Sequence, residues 1–154
     1  MKALILTNIE LSELEKHQLL ETKIFKLAIN QHAEELKPDS RIFSDYVNLT
    51  KQHLKFPNEI IYSVRERLRQ PCENIREINI DFKGSTIIAA IELLISLKFD
   101  ELLLVADNTV HGKEFQDQII ENIKILREQI KIYQITDGNF PVEIKEIKDF
   151  LWNT

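Results

Sequence analysis

Glycine is scarce in this chain, with three residues among 154. Loops that cradle phosphate use glycine to let backbone amides approach the ligand closely. Neither a Walker loop nor GxGxxG is present, and the first apolar run empties into Thr7-Asn8-Ile9-Glu10, without a glycine. A nicotinamide or flavin enzyme and a P-loop ATPase are therefore not expected. Cysteine occurs once, at Cys72, so no internal disulfide is possible and a reducing cytoplasm is the expected location. HExxH and CxxC are missing and no tight acidic cluster stands out, so neither a metal nor another cofactor is expected. Ser85 sits in Lys83-Gly84-Ser85-Thr86, which is not the GxSxG elbow of a serine nucleophile. An excess of positive charge is also lacking. The formal net charge of -5 speaks against nucleic acid or an anionic membrane as partner, despite Arg65, Arg67, Arg69 and Arg76. No apolar run is long enough to span a bilayer, and MKALILTNIE does not read as a signal peptide.

What the chain does have is alternation. Ala3 to Leu6, Ile24 to Ile29, Arg41 to Phe43, Glu59 to Val64, Leu102 to Ala106 and Ile130 to Ile135 are short apolar runs that read as strands. Ile78, Ile80 and Phe82 alternate with polar residues and predict another strand over 77–82. Between these runs lie helical patterns: Glu10 to Leu20 with Leu11, Leu14 and Leu19 inward, Ala33 to Leu36, Val47 to Leu54, Ile87 to Leu97, Glu114 to Glu128, and Val142 to Leu151 after Pro141. The polar stretch Arg65 to Asn74 reads as a loop. Without a linker or repeat, 1–154 is expected to form a single α/β domain around a mainly parallel sheet.

In such sheets ligands collect at the carboxyl ends of the strands. Those ends carry Asn8, then Asn30-Gln31-His32, Asp45, Ser85-Thr86, and Asp107-Asn108 running to His111. Amides, hydroxyls and carboxylates at one edge can read a base, ribose or phosphate, although helix caps and turns favour the same residue types. His111 follows a strand end and precedes a helix, which makes it the candidate general base. His32 is the second choice, while His17 and His53 read as helix-surface residues.

These strand ends carry a resemblance. The chain resembles the bacterial sialyltransferases of Campylobacter type and the related motility-accessory and pterin-pyrophosphokinase-like Rossmann proteins. KALILTNIELSEL is similar to that family's first strand and its Gly-Asn-Gly-Pro-Ser-Leu loop, with Asn8 on the asparagine and Thr7, Ile9 and Glu10 on the glycines and proline. FKLAINQH matches the family's Asn-Gln strand end at Asn30-Gln31. RIFSDY places Asp45 on a nucleotide-contacting asparagine, and Ser85-Thr86 stand on the Thr-Ser of its Thr-Ser-Gly turn. LKFDELLLVADNTV is similar to the family's Leu-Gly-Tyr-Lys-Glu-Ile-Tyr-Leu-Ser-Gly-Ile-Asp-Phe-Tyr, although its tyrosines are absent at Asn108 to Val110. His111 then falls near the family's catalytic histidine, and the lid segment before it is cut to almost nothing.

The resemblance implies a Rossmann-like three-layer sandwich, a CMP-sugar donor and a metal-independent, inverting transfer to an acceptor hydroxyl. The nucleotide contacts it implies are Asn8, Asn30, Gln31, Asp45, Ser85, Thr86, Asp107 and Asn108, with His111 as base. A homo-oligomer is an expected assembly. The alternative is a degenerate relative that keeps the fold without the chemistry, as a nucleotide-binding or protein-interaction subunit.

Overall fold

The computed structural model describes residues 1–43, 55–63, 74–78, 80 and 85–152. The expected site residue Asp45, the expected helix 47–54, Cys72 and most of the expected loop 65–74 lie outside the described residues.

Among the described residues eight strands form one sheet: β1 (Lys2–Leu6), β2 (Phe25–Ile29), β3 (Ser40–Phe43), β4 (Ile60–Ser63), β5 (Ile75–Glu77), β6 (Glu101–Val105), β7 (Lys131–Gln134) and β8 (Glu143–Ile144). Their order is β5-β4-β3-β2-β1-β6-β7-β8, and every pairing is parallel. The four described α-helices are α1 (Glu13–Glu21), α2 (Thr86–Ser96), α3 (Lys113–Leu126) and α4 (Ile147–Trp152).

The period of two along each strand sorts the core into two layers. Ala3, Ile5, Leu27, Ile29, Leu102 and Leu104 face α2 and α3, meeting Ile88, Ile91, Ile119 and Ile123. Leu4, Leu6, Ala28, Leu103 and Val105 face the other way, against Leu19 of α1 and Ile147 and Phe150 of α4. Because β1 and β6 are apolar on both faces, helices cover both faces of the sheet. This is the parallel α/β sheet expected from the alternation, in a Rossmann-like three-layer sandwich. Among the described residues no helix is long and apolar enough to cross a membrane.

Local chemistry moves several element boundaries. Helix α1 starts at Glu13 rather than Glu10, because Ser12 and Glu15 form a capping box: Ser12 Oγ accepts from Glu15 N (3.1 Å) and Glu15 Oε1 accepts from Ser12 N (2.9 Å). Leu14 therefore points outward, at 66% exposure, while Leu19 is buried. The expected last helix is interrupted. Gln134 Nε2 donates to Phe140 O (2.9 Å) and Val142 O (2.7 Å), drawing the chain alongside β7, where Tyr133 pairs with Glu143. Residues 143–144 thus add a short edge strand with Ile144 exposed, and the helix begins only at Ile147. The strand expected over 77–82 starts earlier, as β5 at Ile75–Glu77, with Ile78 and Ile80 packed on the core beyond it, while residues 79, 81 and 82 lie outside the described residues.

The strand-helix-strand stretch from Ile75 to Ala106 does not join neighbours. Strand β5 is the sheet edge, whereas β6 pairs with β1 from Lys2↔Glu101 to Leu6↔Val105. Helix α2 carries the chain back over β3, β2 and β1. As a result β1 leads into α1 on one face, and β6 leads into α3 on the other. Loops that diverge to opposite faces leave a crevice between the two strand ends, the topological switch point of an open α/β sheet.

Candidate functional site

A cleft of about 470 Å³ opens at this crevice. Four segments build it: Thr7 to Ile9 after β1, the β2 end with Asn30 and His32, the start of α2 with Ser85 and Thr86, and the β6 end with Asp107, Val110 and His111. Phe115 of α3 closes one side.

Each wall is held by its own hydrogen bonds. Thr7 sends both its backbone N–H (3.1 Å) and its Oγ1 (2.9 Å) to Val105 O, which ties the β1 exit to the β6 exit. Asn30 adopts a left-handed conformation (φ 50°), which asparagine tolerates better than most residues, and its N–H donates to Ile42 O at 2.9 Å. Its Oδ1 is buried and, among the described residues, has no hydrogen-bond partner. Ser85, itself buried, caps α2 with Oγ at 3.4 Å from Ile88 N. The positive end of that helix therefore faces the cleft.

The β6 wall is the most heavily braced. Asp107 accepts from Thr109 N (2.9 Å) and Thr109 Oγ1 (2.6 Å) through the same oxygen, Oδ1. Asn108 is fully buried: its N–H donates to Gly138 O (2.8 Å) and its Nδ2 to Gln116 O (3.2 Å) and Asn139 O (3.0 Å). Gln116 Nε2 in turn donates to His111 O (2.6 Å), and Asn139 Nδ2 to Gln116 Oε1 (2.6 Å). The His111 ring meets Phe115 edge to face at 4.8 Å. Gly138 is needed here, since a Cβ on it would stand 3.0 Å from Ala106 O and 3.2 Å from Asp107 Cα.

Of the residues expected from sequence, Asn8, Asn30, Ser85, Thr86, Asp107 and His111 line one cleft. Gln31 is exposed and outside the lining. Asn108 also lies outside it, spending its amide on the brace. Sequence reasoning missed Arg41 and Gln116, which bond backbone carbonyls of the cleft walls, and Asn139, whose Nδ2 holds the Gln116 side chain. Arg41 did leave a signal: an arginine inside a buried strand requires a partner.

Among the described lining residues Asp107 is the only carboxylate, and neither lysine nor arginine is present. His32 stands exposed at the rim, yet its imidazole is held below the ordinary histidine value, first by the desolvation its packing imposes and second by the Arg41 charge. A depressed histidine pKa means that the unfolded chain binds more protons, so stability falls as pH drops from 6.5 through the folded value. Replacing His32 by glutamine is expected to flatten that part of the curve in urea unfolding measured across pH, and an unchanged slope would contradict the assignment.

No protein-family model, characterised protein or solved structure matches this chain.

Proposed function

We propose that the cleft binds a nucleotide sugar and that the chain is a sialyltransferase-like glycosyltransferase domain. The observation that carries this reading is the convergence of Asn8, Asn30, Ser85, Thr86, Asp107 and His111 on one cleft at the switch point. Asn8 and Asn30 offer amides to a base or ribose, and Asp107 keeps one carboxylate oxygen beyond its Thr109 contacts for a ribose hydroxyl. The start of α2, with the Ser85 and Thr86 hydroxyls, suits a phosphate. With no lysine or arginine in the described lining, a singly charged phosphodiester is favoured over a pyrophosphate. That property fits a CMP-sugar donor.

In this reading His111 takes the proton of an acceptor hydroxyl as its oxygen attacks the anomeric carbon. The bond from that carbon to the phosphate oxygen breaks, and CMP leaves with the electron pair. Attack from the face opposite the leaving group inverts the anomeric centre.

One observation favours a second reading, a nucleotide-binding or interaction subunit without chemistry. Thr7 occupies a loop position where a glycine would let a nucleotide lie against the backbone, and its side chain is bonded within the protein.

Thermal shift with CMP, CDP, UDP, GDP and their sugars tests the proposal. A ligand at a hundred times its Kd adds about 2.7 kcal/mol of stability, so CMP or a CMP-sugar should raise Tm clearly above the others. A flat panel, or a response to UDP or GDP alone, contradicts the cytidine assignment.

A further inference from the structure

The wall of the cleft at the end of β2 is an unusual piece of backbone. Asn30 (φ 50°) and Ala33 (φ 58°) are both left-handed and neither is glycine. A segment bent twice in this way needs something outside itself to hold it. Arg41 on β3, whose side chain is fully buried, is such a fixture. Its Nη1 donates to Asn30 O (2.9 Å) and to His32 O. Its Nε and Nη2 donate to the two carboxylate oxygens of Glu59 (2.8 and 3.4 Å), and its guanidinium lies 3.9 Å over the Phe56 ring. Glu59 and Phe56 thus aim the fork, and the fork grips the two carbonyls that flank Gln31.

We propose that Arg41 is a positioning residue of the ligand site, holding the Asn30–His32 segment so that the Asn30 and His32 side chains face the cleft. The inference rests on the reading of the cleft as a nucleotide site, because only then does the held wall serve binding. A guanidinium is suited to this task where an ammonium is not, since its planar fork reaches a carboxylate on one edge and two carbonyls on the other. Arg41 acts through Asn30 and His32 and is not among the residues lining the cleft.

Arg41→Lys tests the proposal, because it keeps a positive charge beside Glu59 while removing the fork. The Asn30 N–H is bonded to Ile42 O and the His32 N–H to Ile29 O, so hydrogen exchange at these amides reports how tightly the segment is held. In Arg41→Lys both should exchange about tenfold faster or more, beyond any change shared by the amides of β1. The Kd for CMP should rise by a similar factor, about tenfold being the equivalent of one lost hydrogen bond. Lys26→Met serves as control. It removes another buried cation, bonded to Leu19 O and Leu36 O away from the cleft, and should leave the CMP Kd within about twofold.

If Arg41→Lys does not fold, Arg41→Met/Glu59→Met removes both charges together and is measured in the same way. Exchange at Asn30 and His32 that rises only in step with β1 would overturn the proposal, as would an unchanged Kd in folded variant. Should the wild type bind no cytidine nucleotide, the function reading fails. The exchange comparison still decides for or against the clamp.

Discussion

Replacing His111 by alanine is expected to lower the turnover of sugar transfer by about 10²- to 10⁴-fold, the usual contribution of a general base. Nucleotide affinity should change little, because Asn8, Asn30, Ser85 and Thr86 stand on the other walls of the cleft. The fold should persist. The brace from Gln116 Nε2 reaches the His111 backbone carbonyl, which alanine retains, and the N-terminus of α3 does not depend on an imidazole cap. The loss of the edge contact with Phe115 costs about 0.5–1.5 kcal/mol of stability. Steady-state kinetics beside calorimetry separate the two effects. A wild type without transferase activity, and a His111→Ala variant altered only in stability, would instead establish the non-catalytic reading.

The second large effect is on stability. Arg41→Met should destabilise the fold by about 3–5 kcal/mol, the usual cost of removing one member of a buried ion pair. Glu59 is 15% exposed and would be left with neither its fork nor adequate water. Its carboxyl already titrates above the ordinary value, because burial outweighs the opposing pull of Arg41. Without Arg41 it should rise further. A carboxyl raised in the folded state contributes most stability below its unfolded value of 4.5 and loses it as pH climbs through the folded value. Acidification towards 4.5 should therefore narrow the gap between Arg41→Met and wild type. Arg41→Met/Glu59→Met should recover most of the loss at neutral pH. Urea midpoints at several pH values read all three results, and a single-variant loss below about 1 kcal/mol would contradict the role given to the pair.

The architecture was legible because both faces of the central strands are apolar. Runs such as Ala3 to Leu6 and Leu102 to Ala106 announce a parallel sheet sandwiched by helices. Strand order was not legible. Nothing in Ile75 to Ala106 marks β5 as an edge or places β6 beside β1, because the partner is set by the packing of α2 back over β3, β2 and β1. The edge strand at 143–144 was hidden for a related reason. Its pattern is helical, yet the Gln134 amide, gripping Phe140 O and Val142 O, and the backbone bond from Lys145 N to Gln134 O hold it alongside β7. Asn8, Asn30, Asp107 and His111 share one cleft because β2, β1 and β6 are neighbours whose ends converge, and Ser85 and Thr86 join them because they open α2, which packs over β3, β2 and β1. Asn108 looked equivalent in sequence, yet it points into protein, since the turn capped by Asp107 rotates it towards Gln116 and Asn139.

Amide resonances followed during titration with CMP decide whether the switch-point cleft holds a cytidine nucleotide. Saturating shifts are expected at the side-chain amides of Asn8 and Asn30 and at the backbone amides of Ser85 and Thr86. Asn30→Ala should weaken binding by roughly 1–3 kcal/mol through the loss of a polar contact. Spectra unmoved at millimolar CMP, or shifts confined to another part of the sheet, would contradict binding in the cleft.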